Sequence, residues 1–105
     1  MKYLNLGIKI ANKSTHQHKH SSILIKGGKI LSYGHNHNSI HAEVNAIKDV
    51  WENKLQNSYI INFRINRVGK LKNSYPCNDC QEFAKVKGIR KIVFSTEEGF
   101  KEIKF

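Results

Sequence analysis

Two short motifs, His41-Ala42-Glu43 and Pro76-Cys77-Asn78-Asp79-Cys80, contain the side chains of this sequence that are best suited to chemistry. His41, Cys77 and Cys80 are ligands that zinc prefers, and three protein ligands leave a fourth tetrahedral position open, as in catalytic zinc sites. Glu43 is a carboxylate two residues beyond His41, which suits it to carry protons to and from a water molecule at that position. The motifs therefore predict a zinc-dependent hydrolase.

The Cys77-x-x-Cys80 spacing has two alternative interpretations. It is also typical of a redox pair, but the preceding Pro76 and the upstream His-x-Glu pattern favour zinc. A structural zinc site would need a fourth ligand, for which the sequence offers His16, His18, His20, His35 and His37. The first three would share one face of a strand, where they could bind metal. We expect instead a solvated loop over residues 12–20, because this segment is strongly polar.

Length and composition predict a single domain over residues 1–105. The sequence has no run of about 18 apolar residues, so we expect no membrane span. Its first residues lack an apolar leader with a cleavage site, which predicts an intracellular, cytoplasmic protein. The two cysteines are then more consistent with metal binding than with a structural disulfide.

The formal net charge of +10 has two explanations. Clustered cations favour nucleic acids, because binding releases counterions from the phosphates. However, 15 of the 18 basic residues are Lys and they are dispersed from Lys2 to Lys104, as an AT-rich coding sequence would produce whatever the function. The charge is therefore compatible with anionic substrates and does not identify one.

The order of predicted elements indicates an α/β fold. The first apolar stretch, residues 4–10, fits a strand or a helix equally well. Strands are predicted at 22–25, 29–33, 59–65, 89–94 and 100–105, and helices at 41–51 and 77–87. Strand–helix–strand–helix–strand in the centre predicts at least two parallel neighbouring strands. Both motifs fall at the start of a predicted helix.

The motifs resemble those of the cytidine and deoxycytidylate deaminase superfamily. The similarity is carried by His41-Ala42-Glu43-Val44-Asn45-Ala46-Ile47, by Pro76-Cys77-Asn78-Asp79-Cys80 and by the segment 88–95. It implies a three-layer fold, in which a five-stranded mixed sheet has helices on both faces and the first element is a helix. It also implies that His41, Cys77 and Cys80 bind zinc (Zn2+), and that Glu43 is the catalytic proton carrier.

The resemblance also implies a substrate site and an assembly. Asn36, in Gly34-His35-Asn36, corresponds to an Asn near the sugar hydroxyl, although Asn38 offers a second register. Ala42 and the backbone around Tyr75 are expected to contact the base. Relatives commonly form dimers or tetramers, so a homo-oligomer is expected.

Features around the motifs leave the substrate open. The residues of the two motifs resemble those of deoxycytidylate deaminases. However, the long insertion that these enzymes usually have between the equivalents of Asn36 and His41 is missing here. The strand at 59–65 and its loop continue to Lys70, longer than a minimal connection. The tight turn at 97–99 makes the last strand antiparallel, which resembles enzymes acting on free nucleosides.

Three functions remain as hypotheses. The first is hydrolytic deamination of cytosine in a nucleoside or nucleotide such as cytidine, deoxycytidine or deoxycytidine monophosphate. The second is deamination of cytosine or adenosine in single-stranded DNA or RNA, favoured by the charge and by basic residues near the motifs: Arg64, Arg67, Lys70 and Lys72. The third is a non-catalytic zinc-binding module.

Overall fold

The computed structural model describes residues 1–37 and 40–105, which contain four helices and five strands. The helices are α1 (Leu4–Ala11), α2 (Ala42–Ile47), α3 (Glu52–Leu55) and α4 (Asn78–Val86). The strands are β1 (Lys19–Lys26), β2 (Lys29–His35), β3 (Tyr59–Ile65), β4 (Lys91–Thr96) and β5 (Gly99–Lys104). The ambiguous first element is a helix, as the resemblance implied. Within the described ranges, no helix has the length and apolar character needed to cross a membrane.

The five strands form one mixed sheet in the order β2-β1-β3-β4-β5. Strand β1 is antiparallel to both β2 and β3, whereas β3 and β4 are parallel. Strand β5 returns antiparallel to β4 after the tight turn. The predicted mixed sheet, its parallel central pair and its antiparallel last strand are all confirmed.

Helices cover both faces of the sheet, and each face has its own hydrophobic core. Neighbouring strand residues point to opposite faces, so Leu24 and Ile60 contribute to one core while Ile23 and Ile61 contribute to the other. The first core also contains Ile47, Leu55 and Ala84 from α2, α3 and α4. The second contains Ile10 from α1. The predicted three-layer arrangement follows from this alternation.

Two predicted boundaries are wrong. The helix expected over residues 41–51 ends at Ile47, because Trp51 has an extended backbone (ψ 137°) and its side chain is 78% exposed. The chain then forms the short α3, which buries Leu55 in the first core, to which Ile47 also belongs. Strand β1 begins at Lys19 rather than at residue 22, because β3 is long enough to pair with it throughout. Consequently His20 belongs to a strand and not to a solvated loop.

Helix α2 packs unusually close to β2, and this fixes where the first motif lies. A Cβ atom at Gly34 would lie 2.8 Å from the backbone nitrogen of Ala46. The Asn45 side-chain amide also donates a hydrogen bond to the carbonyl oxygen of His35 (2.8 Å). A side chain larger than hydrogen at position 34 would therefore push α2 away from the sheet.

Candidate metal centre and active-site pocket

The first motif lies at the start of α2. His41 is the N-cap residue, with an extended backbone (φ −69°, ψ 154°), and the helix begins at Ala42. Glu43 is in the first turn, and only 7% of its surface is exposed. The change from extended to helical backbone thus places an accessible His41 next to a buried Glu43.

The second motif lies at the start of α4, and hydrogen bonds fix it from both sides. Cys77 is the N-cap residue, and its Sγ accepts a hydrogen bond from the backbone N–H of Cys80 (3.4 Å). Upstream, the Ser74 N–H donates to the Ser95 carbonyl (2.8 Å), and the Ser95 N–H donates to Ser74 Oγ (2.7 Å). The segment before Pro76 is therefore anchored to the end of β4, which brings Cys77 and Cys80 to the start of α2.

His41, Cys77 and Cys80 form a cluster in which the three ligand atoms lie within 4.8 Å of one another. His41 Nδ1 is 3.1 Å from Cys80 Sγ and 3.6 Å from Cys77 Sγ. Two ligands of tetrahedral zinc, at ordinary Zn–N and Zn–S lengths, are about 3.6 Å apart. The donor set and its spacing therefore fit a zinc ion.

Burial raises the pKa of the Cys80 thiol, and the nearby Glu43 carboxylate and Cys77 raise it further. Cys80 is consequently a neutral thiol when no cation is bound. A metal ion at the cluster has to replace this proton, since the thiolate is the form that binds metals.

A buried asparagine that the sequence reasoning missed holds the Glu43 carboxylate. Asn62, in the middle of β3, is 3% exposed, and its Nδ2 donates a hydrogen bond to Glu43 Oε2 (3.1 Å). Its Oδ1 accepts a hydrogen bond from the buried Ser22 hydroxyl (2.7 Å), which fixes the orientation of the amide. A polar amide inside the apolar strand Tyr59–Ile65 was the available signal, because buried polar groups need partners.

A cavity of about 550 Å³ opens beside the cluster. His41, Glu43 and Cys77 line it, together with the three residues predicted to bind substrate: Asn36, Ala42 and Tyr75. The structure therefore brings all of these residues together, while the substrate contacts themselves stay a prediction. Asn38, the alternative to Asn36, lies outside the described residues.

The histidine segment expected to be a solvated loop forms part of the pocket wall. His16, His18 and His20 all line the cavity. Asn36 holds this segment in place, because its Oδ1 accepts a hydrogen bond from the His20 N–H (3.0 Å) and its Nδ2 donates to the His18 carbonyl (2.8 Å). Sequence spacing indicated that these histidines could share a face, but it could not show which face or what it borders.

Comparison with known families decides the identity of the fold and its metal. The family model for the cytidine and deoxycytidylate deaminase zinc-binding region matches residues 1–96. The chain belongs to this deaminase family. The matched range contains the His41, Cys77 and Cys80 cluster, so the geometry and the family agree on a candidate zinc site.

Solved structures of deaminases share the fold of this family member. The dCMP deaminase of cyanophage S-TIM5 has a TM-score of 0.67 and 21% identity, over 89% of this chain and 79% of that chain. Acinetobacter baumannii RibD has a TM-score of 0.67 and 17% identity, over 89% of this chain and 27% of that chain. The diaminohydroxyphosphoribosylaminopyrimidine deaminase/5-amino-6-(5-phosphoribosylamino)uracil reductase of Thermotoga maritima has a TM-score of 0.65 and 17% identity, over 89% of this chain and 28% of that chain.

These likenesses show the fold alone, since every identity is low. This deaminase-family chain also spans less than a third of the two RibD-type chains. No curated protein matches its sequence at a significant level.

Asn62 gives the first testable prediction. We expect Asn62→Ala to lower kcat by about tenfold or more, because the hydrogen bond that orients Glu43 is lost and such a bond to a charged group contributes about 1.5–3 kcal/mol. Zinc content, measured by atomic absorption, and KM are expected to stay unchanged, since Asn62 lies outside the ligand cluster. A parallel loss of zinc or a rise in KM alone would contradict this role.

His20 gives a second prediction, which concerns stability and pH. The pKa of His20 is lowered from 6.5 to about 4, mainly by burial and in addition by the Arg64 guanidinium and the nearby His18, His41 and His16. Between these pH values the unfolded chain binds a proton that the folded chain does not, so the free energy of unfolding falls as the pH drops from 6.5 to about 4. The loss should approach about 3 kcal/mol.

Urea denaturation of zinc-depleted protein across this pH range tests the prediction. His20→Gln should show a shallower pH dependence than the wild type, while all other titrating groups stay the same. Equal slopes for the two proteins would show that His20 is protonated as easily in the folded state as in the unfolded chain.

Proposed function

We propose that this protein is a zinc-dependent deaminase that hydrolyses the amino group of cytosine in a nucleoside or nucleotide. The observation that supports this most strongly is the shared position of Glu43 and the ligand cluster. Glu43, His41 and Cys77 line one cavity, and Cys80 completes the cluster beside it. A carboxylate that is not one of the ligands but lies next to them distinguishes a hydrolytic site from a structural zinc site.

In this proposal His41 Nδ1, Cys77 Sγ and Cys80 Sγ hold the metal. Bound zinc supplies a Lewis acid that makes water a nucleophile near neutral pH. One neutral imidazole and two thiolates balance the charge of a divalent ion, so the metal can be held in a partly buried site at low electrostatic cost.

Glu43 moves the protons. Its Oε2 is held by Asn62, which leaves Oε1 as the oxygen that takes a proton from the attacking water. The carboxylic acid so formed gives this proton to the pyrimidine ring nitrogen. Glu43 then takes the second proton from the hydroxyl that has been added to the base carbon and gives it to the amino group, which leaves as ammonia. The balance is one water consumed and one ammonia released for each cytosine converted to uracil. This use of one group as base and then as acid requires that it be fixed in place.

The cavity suits a ligand of nucleotide size. Its volume of about 550 Å³ is within the usual range for small-molecule sites. Tyr75 lies at the mouth with 58% of its surface exposed, and its ring packs edge-on against Phe94 at 5.3 Å between centroids. In the proposal, Ala42 and Tyr75 border the base and Asn36 borders the sugar.

Incubating zinc-loaded protein with a panel of aminopyrimidines tests the function. The panel contains cytidine, deoxycytidine and their monophosphates, and ammonia release and conversion to uracil are followed. We expect turnover of at least one compound. Absence of turnover on every compound, with zinc confirmed in the protein, would contradict the proposal and favour a different aminopyrimidine or a non-catalytic module.

A further inference from the structure

A second cavity borders the histidine segment that also lines the active-site pocket. Its volume is about 430 Å³, and Gln17 and His18 line both cavities. Most of the remaining wall comes from the end of β3 and the segment after it, including Arg64, Arg67 and Lys72, and Glu97 completes it from the turn after β4. The two cavities are therefore neighbours that share one wall, and the second one is rich in cations.

This cavity contains arginines, whereas most basic residues elsewhere in the chain are lysines. The sequence has 15 lysines and only three arginines, Arg64, Arg67 and Arg90, and two of the three line this one cavity. A lysine-rich composition explains scattered lysines but does not explain paired arginines. The planar guanidinium is the side chain best suited to bind phosphate oxygens in pairs.

Arg64 is held in place but keeps an unused donor. Its Nη2 lies 2.8 Å from His18 Nδ1, and its Nη1 donates to the Asn73 carbonyl (3.3 Å). Among the residues that the structure describes, its buried Nε–H has no hydrogen-bond acceptor. A buried donor without an acceptor is costly.

The loop that carries Arg67 is ordered by its own hydrogen bonds. Asn66 Oδ1 accepts bonds from the backbone N–H groups of Val68 (3.0 Å) and Lys70 (2.9 Å). Gly69 takes a positive φ of 84°, which closes the turn. The loop belongs to the extension after β3 that is longer than a minimal connection, so this ordered extension forms part of the wall of the cationic cavity.

The charges of this cavity are only partly neutralised. Lys72 pairs with Glu97 (Nζ–Oε1 3.0 Å), and Glu97 also lines the cavity. Within residues 1–37 and 40–105, neither Arg64 nor Arg67 forms a salt bridge with a carboxylate. Two positive charges are therefore left to attract an anion.

We propose that Arg64 and Arg67 form a phosphate-binding subsite for the substrate of the neighbouring pocket. The inference rests on the proposed deaminase function, because the base occupies the first cavity while the phosphate lies beyond His18 in the second. The ligand chemistry is a phosphate ester attached to the sugar of the reacting nucleoside. It comes either from a nucleoside monophosphate or from the backbone of a single strand.

The test compares three substrates in the zinc-loaded protein and in matched variants. The substrates are deoxycytidine, its 5′-monophosphate and a short single-stranded DNA with one central cytosine. The variants are Arg67→Gln, at an exposed position where folding is not at risk, Arg64→Gln, and Arg90→Gln as the control. The Arg90→Gln substitution removes the same charge at a different place. The Arg90 guanidinium carbon lies 5.0 Å from the centroid of the Tyr59 ring, and Arg90 does not line this cavity.

We expect the ratio of kcat/KM for the phosphorylated substrate to that for deoxycytidine to fall about tenfold in Arg67→Gln and Arg64→Gln. The ratio should not change in Arg90→Gln. A preference for the monophosphate identifies a free nucleotide as the source of the phosphate. A preference for the oligonucleotide that weakens steeply with salt identifies a single strand.

If all variants deaminate with the same ratio of kcat/KM for the phosphorylated substrate to that for deoxycytidine, the proposed subsite is wrong and the proposed function still stands. If no substrate is turned over, titration calorimetry with the monophosphate decides the matter. Weaker binding to Arg67→Gln than to Arg90→Gln supports the subsite even then, while equal affinities or no binding overturn it.

Discussion

Replacing Glu43 by Gln is expected to abolish deamination while zinc remains bound. The amide keeps the size of the side chain but cannot accept a proton from water or return one to the ring. Loss of a positioned general acid–base group typically lowers kcat by about 10²- to 10⁴-fold. Zinc content should stay near one ion per chain, because Glu43 is not among the clustered ligands.

The matched control is Glu98→Gln, which makes the same chemical change in an exposed turn. It should retain full turnover and full zinc content. A Glu43→Gln protein with wild-type activity would contradict the role of Glu43, and a function that survives this change would favour a non-catalytic zinc module. Ammonia release and metal analysis on the same samples separate these results.

Replacing Cys80 by Ser should remove both the metal and the activity. Cys80 is the buried member of the cluster, and its Sγ is the closer of the two sulfur atoms to His41 Nδ1. A serine hydroxyl is a much poorer zinc ligand than a thiolate, so a three-ligand site with two good donors should hold zinc weakly. We expect zinc content after gel filtration to fall below about a tenth of the wild-type value and turnover to fall with it.

Asp79→Asn is the control for this change. Asp79 lies between the two cysteines in the sequence, but it is exposed and outside the cluster. Its substitution should leave zinc content unchanged. Circular dichroism distinguishes metal loss from unfolding, and a folded Cys80→Ser protein that keeps its zinc would contradict the assigned ligand set.

The chemistry of the site was predictable from sequence because its ligands lie in two local motifs. His41 and Glu43 are two residues apart and Cys77 and Cys80 are three apart, so one helix start fixes each pair. The alternation of apolar residues likewise predicted β3, and the tight turn at 97–99 predicted the antiparallel last strand, since each depends on near neighbours along the chain.

The surroundings of the site were not predictable in the same way. Asn62 contacts Glu43 across 19 residues of sequence, and Arg64 contacts His18 across 46. Such contacts depend on strand register and packing, which no local pattern records. The break between α2 and α3 was missed for a related reason, because the helical spacing continues to Trp51, which is exposed, whereas Leu55 is the residue that enters the first core.

Ser22 and Asn62 are direct partners in the antiparallel pairing of β1 with β3. The orientation of the Glu43 carboxylate therefore depends on the register between β1 and β3. A slip of one residue would exchange Asn62 for Ile61 or Phe63 and leave Glu43 against a hydrocarbon side chain. The activity of a preparation thus measures the fraction of molecules that have the native register. Molecules that bury the same apolar area with the two strands misaligned would be compact and inactive.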